Sequence, residues 1–194
     1  MILWGRPSSV NVQKVLWALS ECALPFEHHI VGGKYGGTDT ATFKEMTPVP
    51  RVPVLQDGDL TLWESHAILR HLAGGVSPLA DQWMEYTTST LQPAFLQMFY
   101  ELVRTAPADR TKDAEALKAT FLAAMAPLEW QLRKTQWLGG DSFGMADIAA
   151  GAMMVRACDL CDPLSPQVAR WYEQLQARPA YRAVVMTSYE ELRA

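Results

Sequence analysis

The hydrophobic pattern of this 194-residue chain changes once, near residue 75, and that change limits the folds it can adopt. Before this point, short apolar runs of strand length alternate with one-sided helical patterns. After Pro78 the apolar residues repeat only at helical spacing. The sequence therefore predicts an α/β unit over residues 1–75, followed by an all-helical unit over residues 82–194.

The first unit has the predicted order β-α-β-loop-β-β-α. Ile2-Leu3-Trp4 is an apolar run that ends at Gly5, as expected of a buried strand leaving the core. Asp57-Gly58 is a strong hairpin signal. The other predicted elements are a helix from residue 11, a strand over 26–31, a glycine-rich loop over 32–37 without a regular element, strands over 52–56 and 60–63, and a helix that starts after residue 63 and ends at 74–75. This order favours a parallel pair joined by a helix, with an antiparallel hairpin at the edge.

Helical patterns cover most of the second unit. Two of them contain an internal proline, Pro93 and Pro127, at which we expect the helices to kink. Residues 145–158 are rich in alanine and glycine, which let neighbouring helices approach closely. This helix is therefore predicted to be central and buried. Two more helices are predicted, over 166–178 and after Pro179.

The overall composition argues against several classes of protein. The net charge of −4 and the isoelectric point near 5.6 disfavour a nucleic-acid-binding protein, which needs a basic surface. No apolar run approaches the ~20 residues of a membrane helix, and the N-terminus does not resemble a signal peptide. Three cysteines are an odd number, so a reducing compartment is expected. We therefore expect a cytoplasmic globular protein without a nucleic-acid or membrane partner.

The cysteines and histidines do not predict a redox or metal centre. Cys158-x-x-Cys161 lies late in a helical segment, whereas a redox pair of this spacing opens a helix after a strand. The sequence has no second pair that could complete a zinc site. His28 and His29 are adjacent on a predicted strand, so their side chains face opposite ways. We expect packing and surface roles for these residues, and no metal.

Three short segments carry the residues best suited to chemistry. In Ser8-Ser9-Val10-Asn11, between the first strand and the first helix, a hydroxyl either caps the helix or donates to a bound thiolate. Pro53, at a strand start, is either an ordinary edge proline or a cis proline that turns the backbone of Val52 toward a peptide ligand. Glu64-Ser65 opens the next helix, where these residues either cap it or hold the charged end of a ligand.

In this order and at these separations, the segments resemble the N-terminal domain of the soluble glutathione S-transferases. The resemblance is carried by residues 9–15, 52–55, 57–58 and 63–69. The helical remainder, with Phe143–Ile148, is similar to the C-terminal domain of the same family. The resemblance covers essentially the whole chain and points to the bacterial type with an active-site serine.

The resemblance implies a thioredoxin-like domain that binds glutathione as co-substrate, and a helical domain that lines the pocket of a hydrophobic electrophile. Ser9 matches the catalytic serine, with Ser8 as the alternative, and Asn11 assists. The family is also typically homodimeric and cytoplasmic, with a role in detoxification. The chemistry implied is attack of the glutathione thiolate on an electrophilic carbon.

The same resemblance assigns the glutathione contacts. Val52, before a cis Pro53, pairs with the cysteinyl backbone, while Glu64 and Ser65 hold the γ-glutamyl end. The glycyl carboxylate needs a cation, for which the candidates are Lys34, Lys44 and Arg51. The candidates for the electrophile pocket are Met84, Tyr86, Phe95 and Tyr100.

Two segments depart from the usual pattern of the family. Thr47-Pro48-Val49-Pro50 stands where relatives often have Asn-Pro-x-Gly, which stiffens the loop before Val52. Gly144 stands where relatives favour Ser or Thr, so Asp147 is expected to be structural and to accept backbone N–H groups.

Three other functions were weighed against the transferase. A glutathione-dependent dehalogenase or isomerase would share the same site. A non-catalytic ligand-binding protein would need the fold but not the hydroxyl. A disulfide reductase would carry a cysteine in place of Ser9, so the serine disfavours it.

Overall fold

The computed structural model describes residues 1–161 and 164–194. Its single sheet has four strands in the order β2-β1-β3-β4. The strands are β1 (Ile2–Trp4), β2 (Glu27–His29), β3 (Val54–Asp57) and β4 (Leu60–Trp63). β1 pairs parallel with β2 and antiparallel with β3, and β3 pairs antiparallel with β4. The predicted thioredoxin-like arrangement of a parallel pair and an edge hairpin is confirmed.

Three helices accompany the sheet: α1 (Val10–Glu21), α2 (Ala41–Met46) and α3 (Ser65–Leu72). No sequence pattern predicts α2, because Phe43 is its one buried residue and a single apolar residue produces no periodicity. Thr40 caps α2 by accepting from the backbone N–H of Phe43 at 3.3 Å. The glycine-rich loop was also predicted without regular structure, but Gly33–Tyr35 forms one 3₁₀ turn.

The rest of the chain is helical. Its α-helices are α4 (Pro78–Tyr86), α5 (Gln92–Phe99), α6 (Ala114–Leu132), α7 (Met145–Gly151), α8 (Met154–Leu160), α9 (Pro166–Gln176) and α10 (Pro179–Val184). The only β-type contact beyond residue 75 in the described residues is an isolated bridge between Trp137 and Gly140. No helix in the described ranges is long and apolar enough to cross a membrane.

The internal prolines have different surroundings. Pro93 lies in the first turn of α5, directly after a wide π-helical turn over Thr87–Leu91. A π turn at this place agrees with the steric demand of a proline ring, which displaces the carbonyl one turn earlier. Pro127 lies within α6, which is one helix of 19 residues.

The helix predicted over 145–158 is wrong in one respect, because the structure has two helices, α7 and α8. The hydroxyl of Tyr181 donates to the carbonyl of Gly151 at 3.0 Å, which removes that carbonyl from the helical ladder. The predicted burial is confirmed, since every residue of α7 is buried. Gly151 is also tightly enclosed, because a Cβ there would lie 2.6 Å from a methyl group of Leu175.

Asp147 organises the start of α7. Its carboxylate accepts from the backbone N–H of Leu138 at 2.9 Å and of Gly144 at 3.1 Å, and from Trp171 Nε1 at 2.8 Å. Complete burial raises the pKa of Asp147 to about 6, while these three donors oppose the rise. The predicted structural role of Asp147 is confirmed.

The molecule has two hydrophobic cores that meet at α1. The smaller core lies between the sheet and one face of α1 and α3, and includes Leu3, Leu55 and Ile68. The larger core fills the helical region and takes in Trp17 from the other face of α1. Because α1 is packed on both sides, its N-terminus is held at the seam between sheet and helices.

Several of the cysteines and histidines have packing or hydrogen-bond contacts. No disulfide links the described cysteines, and Cys161 is buried with its Sγ 3.1 Å from Met98 Sδ. His28 Nε2 lies 2.7 Å from the carbonyl oxygen of Gly5, and the ring of His29 lies against that of Trp4 with the ring centres 4.3 Å apart and the planes tilted by 54°. The described residues contain no group of three or more side chains placed to hold a metal ion.

Candidate active site

Ser9 stands at the N-terminus of α1, and its hydroxyl has no hydrogen-bond partner among the described residues. It occupies the N-cap position in extended backbone, with φ −82° and ψ 123°, yet its side chain forms no capping hydrogen bond. Ser9, Val10 and Asn11 line a cavity of about 440 Å³ between the sheet region and the helices. The first turn of α1 contains no acidic residue, so no carboxylate there offsets the positive end of the helix dipole. An anion next to Ser9 would be stabilised there.

Ser8 differs from Ser9 although the two are neighbours. Ser8 is only 5% exposed, and its hydroxyl accepts from Arg6 Nη1 at 2.9 Å. It also helps to lower the pKa of Glu191 through a hydrogen bond, after the larger effect of Lys34. The hydroxyl of Ser8 is therefore occupied, and that of Ser9 is available.

The peptide bond between Val52 and Pro53 is cis. β3 begins at Val54, so Val52 precedes the sheet and takes no part in its ladder. Within the described residues, neither the N–H nor the C=O of Val52 forms a hydrogen bond. Val52 lines the large cavity and a second, smaller one of about 80 Å³. Its backbone groups are thus open to an extended peptide.

The small cavity brings several of the predicted site residues together. Its walls include Asn11, Arg51, Val52, Pro53, Glu64 and Ser65. Glu64 precedes α3 with φ 70° and ψ 115°, a left-handed conformation that a non-glycine residue adopts at a cost of ~1–3 kcal/mol. Such strain persists where surrounding structure fixes it, most often at ligand sites. Ser65 is 6% exposed at the start of α3.

Asn11 lies at the junction of the two cavities. Its Oδ1 accepts from Gln92 Nε2 at 3.1 Å and from the Ser65 hydroxyl at 3.4 Å. These two donors fix the orientation of the Asn11 amide. Within the described residues its Nδ2 has no hydrogen-bond acceptor, so the amide offers two N–H groups to a ligand.

A chain of polar groups that includes the buried Lys14 and His66 holds Gln92 in turn. Lys14 Nζ donates to Gln92 Oε1 at 2.6 Å and lies 3.0 Å from His66 Nε2. His66 Nδ1 lies 2.7 Å from the hydroxyl of Thr88. Complete burial lowers the pKa of Lys14 to about 7, and burial together with Lys14 lowers the pKa of His66 to about 2. His66 is therefore neutral, and its Nε2 accepts from Lys14.

The three candidate cations occupy different places. Arg51 lines both cavities. Lys34 is exposed at the surface and forms an ion pair with Glu191. Lys44 is exposed on α2, and neither Lys34 nor Lys44 is among the residues that line the two cavities. Of these three cations, Arg51 is the one that lines the same cavities as Val52.

Comparisons with known proteins give consistent results for the N-terminal and the helical parts of the chain. The family model described as "Glutathione S-transferase, N-terminal domain" matches residues 1–74, and "Glutathione S-transferase, C-terminal domain" matches residues 111–174. Glutathione S-transferase GstB of Escherichia coli K12 is 39% identical over 203 residues, covering 95% of this chain and 97% of that protein. This chain belongs to the glutathione S-transferase family.

Solved structures of the glutathione S-transferase family have the same fold. The theta class enzyme of Xanthomonas axonopodis pv. citri, crystallised with glutathione bound, superposes with a TM-score of 0.89 at 36% identity, covering 96% of this chain and 97% of that one. A glutathione S-transferase from Pseudomonas fluorescens Pf-5 superposes with a TM-score of 0.82 at 29% identity, covering 92% and 96%.

In this glutathione S-transferase the large cavity has two walls. The N-terminal wall consists of the lining residues between 6 and 52, and the helical wall of those between 92 and 192. Phe95 and Tyr100, two of the four candidates for the electrophile pocket, lie on the helical wall. Met84 does not line the cavity and is completely buried in the core, and the hydroxyl of Tyr86 donates to the carbonyl of Ala124 at 2.9 Å.

Sequence reasoning missed several residues that line the large cavity or support its lining. Lys14 was noted only as part of a motif, and Gln92, Arg104 and Arg156 were not considered. Arg156 is buried and donates to the carbonyl of Ser8 at 2.9 Å and to Gln13 Oε1 at 3.1 Å. Charged residues inside helical patterns were the available signal, but which of them face a cavity depends on packing between distant helices.

A second depression, of about 660 Å³, lies between the end of α6 and α9. Its lining includes Arg133, Lys134, Arg170 and Glu173, and none of the predicted site residues. It is larger than the cavity at Ser9 but lacks a free hydroxyl at a helix N-terminus and an unpaired backbone segment. The candidate active site is therefore the cavity at the N-terminus of α1.

Proposed function

We propose that this chain is a glutathione transferase of the serine type, in which Ser9 stabilises the thiolate of glutathione for attack on an electrophilic small molecule. The carrying observation is the free hydroxyl of Ser9 at the N-terminus of α1, beside a segment whose backbone is open at Val52. Glutathione acts as co-substrate, and no metal takes part.

In this proposal glutathione spans both cavities, with its γ-glutamyl end in the small one and its sulfur in the large one. The cysteinyl backbone of glutathione pairs with Val52, which follows from the open N–H and C=O before cis Pro53. The γ-glutamyl end enters the small cavity, where Glu64 meets its ammonium and Ser65 meets its carboxylate at the start of α3. Asn11 donates from its free amide N–H groups, and the sulfur lies at Ser9 in the large cavity.

The glycyl carboxylate is assigned to Arg51. This residue lines the large cavity, whereas Lys34 already has Glu191 as its partner and Lys44 lies outside both cavities. A guanidinium also matches a carboxylate with two parallel N–H bonds, which an ammonium cannot provide.

The required stabilisation is modest. A thiol with a pKa near ~8.5 is only a few per cent ionised at neutral pH, and lowering that pKa by about two units takes roughly 3 kcal/mol. A charge-assisted hydroxyl bond contributes about 1.5–3 kcal/mol and a helix N-terminus about 0.3–2 kcal/mol. Ser9 and α1 together supply this amount. Ser9 therefore acts as a donor to the thiolate and not as a base.

Other properties of the family extend this proposal. We place the domains at residues 1–75 and 82–194; residue 75 lies in the link between α3 and α4, and residue 82 lies within α4. A homodimer agrees with the exposed Leu60 and Trp63 on the edge strand β4, which leave apolar surface for a partner. No disulfide links the described cysteines, which agrees with a cytoplasmic location. A role in detoxification is typical of the family.

The test compares Ser9→Ala with Ser8→Ala in conjugation of glutathione to chlorodinitrobenzene. Ser9→Ala is expected to lower kcat about 10–100-fold while the KM for glutathione changes by less than about threefold. The thiolate pKa, read from the pH profile and from ultraviolet absorption of the thiolate, is expected to rise by about one to two units. Ser8→Ala should have a smaller effect, since that hydroxyl is occupied by Arg6.

Two results would contradict the proposal. Equal losses in kcat and in glutathione affinity would mean that Ser9 binds the peptide without assisting ionisation. Retention of the wild-type chain on immobilised glutathione, without turnover of any electrophile, would favour a non-catalytic binding protein.

A further inference from the structure

Three arginines that the proposed mechanism does not use converge on the cavity beside Ser9. Arg6 comes from the N-terminal wall, while Arg104 and Arg156 come from the helical wall. With Arg51 they are the charged residues among the described residues that line the cavity, and none of the described lining residues is acidic. The cavity therefore carries a surplus of positive charge that one thiolate and one glycyl carboxylate do not neutralise.

The hydrogen-bond partners of these arginines are neutral. Arg6 donates to the hydroxyl of Ser8 at 2.9 Å, and Arg104 donates to the hydroxyl of Tyr100 at 3.1 Å. Arg156 donates to a backbone carbonyl and a glutamine oxygen. Among the described residues, none of the three forms an ion pair with a carboxylate.

Electrostatics in the cavity agrees with this arrangement. Burial first, and then the charge of Arg104, lower the pKa of Arg6. Burial lowers the pKa of Arg156 to about 10, and Arg6 adds to that effect. Glu191 partly offsets both, but it lies outside the lining and is already paired with Lys34. An anion in the cavity would relieve the remaining repulsion.

The helical wall adds an apolar surface to this charge. Phe95, Leu96, Phe99 and Tyr100 line the cavity. The guanidinium of Arg104 lies 4.8 Å from the ring centre of Tyr100, and that of Arg156 lies 5.6 Å from that of Phe99. A ligand that fits both features has an apolar or aromatic body and an anionic group at one end.

We propose that the electrophile taken by this cavity is an anion, namely a small aromatic or aliphatic carboxylate that carries its leaving group on carbon. This inference rests on the proposed function. The thiolate of glutathione forms a C–S bond with that carbon, the leaving group departs as an anion with the electrons of its bond, and the thiol proton passes to solvent. Arg104 and Arg6 bind the carboxylate, and the aromatic wall receives the carbon skeleton.

The first test uses a matched pair of substrates, chloronitrobenzoate and its methyl ester. Chloride is the leaving group in both, and the ester is the more activated toward thiolates in solution. Each enzymatic kcat/KM is therefore divided by the rate constant of the uncatalysed reaction with glutathione. The normalised value for the carboxylate is expected to exceed that for the ester about tenfold, the factor that one charge-assisted pair provides. The ratio should fall as salt is added.

Replacing an arginine tests whether the arginines cause the preference for the carboxylate over the ester. Arg104→Gln is expected to lower the ratio about fivefold. Arg104 is exposed, so the fold tolerates its replacement. Arg133→Gln is the matched control, because this exposed arginine pairs with Glu129 away from the cavity and its loss changes the net charge equally. Arg133→Gln should leave the ratio unchanged.

A binding readout covers the case in which the aryl chloride reacts slowly. Benzoate is expected to inhibit the turnover of the neutral ester at a concentration about tenfold lower than benzamide. A ratio near one, with benzoate no better than benzamide, would overturn this inference and leave the transferase proposal intact. Turnover of neither ester nor carboxylate, nor of chlorodinitrobenzene, would overturn both.

Discussion

The two walls of the cavity are built on different physical principles. The N-terminal wall and the adjoining small cavity use backbone: a helix N-terminus at Ser9, a cis peptide before Pro53 and a left-handed residue at Glu64. The helical wall uses side chains, with Arg104 and Arg156 separated by about fifty residues of chain. Backbone groups are the same in every sequence that adopts the fold, whereas side chains can vary freely. In the proposed function, the backbone groups of the N-terminal wall recognise glutathione and the side chains of the helical wall select the electrophile.

The walls also differ in what keeps them in place. Hydrogen bonds between short strands and a small core support the N-terminal wall. The helical wall depends on a larger core, and one buried carboxylate, Asp147, anchors its central helix α7. The buried Lys14 and the partly buried Gln92 connect the two walls by hydrogen bonds.

The largest expected effect concerns the helical wall. Asp147→Ala leaves the N–H groups of Leu138, Gly144 and Trp171 without their acceptor in a buried place. We expect a loss of about 3–5 kcal/mol in the free energy of unfolding, measured by chemical denaturation. Asp141→Ala, which changes an exposed carboxylate nearby, is the control and should cost less than about 0.5 kcal/mol. If Asp147→Ala also cost less than about 0.5 kcal/mol, Asp147 would not anchor the helical wall.

The second prediction concerns the connection between the walls. Burial lowers the pKa of Lys14 to about 7, whereas a lysine in the unfolded chain titrates near ~10.4. Between these values the unfolded chain binds more protons than the folded one. The free energy of unfolding should therefore gain up to about 1.4 kcal/mol per pH unit from this residue as the pH rises.

Other groups titrate in the same range, so the measurement is a difference between two proteins. The free energy of unfolding is measured against pH for the wild type and Lys14→Met, and the rise should be missing from the variant. Lys112→Met, at an exposed lysine, should keep the wild-type slope. Parallel curves for the wild type and Lys14→Met would show that Lys14 keeps an ordinary pKa.

The smallest expected effect concerns which cation of the N-terminal unit binds the glycyl carboxylate of glutathione. Arg51→Ala should raise the KM for glutathione about tenfold, since a bidentate carboxylate pair is lost. Lys34→Ala breaks an exposed ion pair with Glu191, so the KM should change by less than about twofold. Steady-state kinetics at fixed electrophile concentration distinguishes them. The reverse result would assign the glycyl carboxylate to Lys34.

Much of the fold was predictable because its causes are local. The strand at Leu60–Trp63 follows from the hairpin signal at Asp57-Gly58, and α9 and α10 follow from apolar spacing and their initial prolines. The prediction did not include α2, where only Phe43 is buried. It also joined α7 and α8, which a hydrogen bond from distant Tyr181 separates.

The candidate site also has some features with local causes and others that depend on tertiary packing. The sequence by itself determined a hydroxyl at the start of the first helix, a proline after Val52 and the Glu64-Ser65 pair, because each feature lies within a few residues of the helix or strand that it begins or ends. Only the tertiary structure decided that Ser9 and not Ser8 has a free hydroxyl, that Lys14 reaches Gln92, and that three arginines meet in one cavity. Those outcomes depend on how α1 packs against helices that follow it by about eighty residues or more, and no local pattern records that packing.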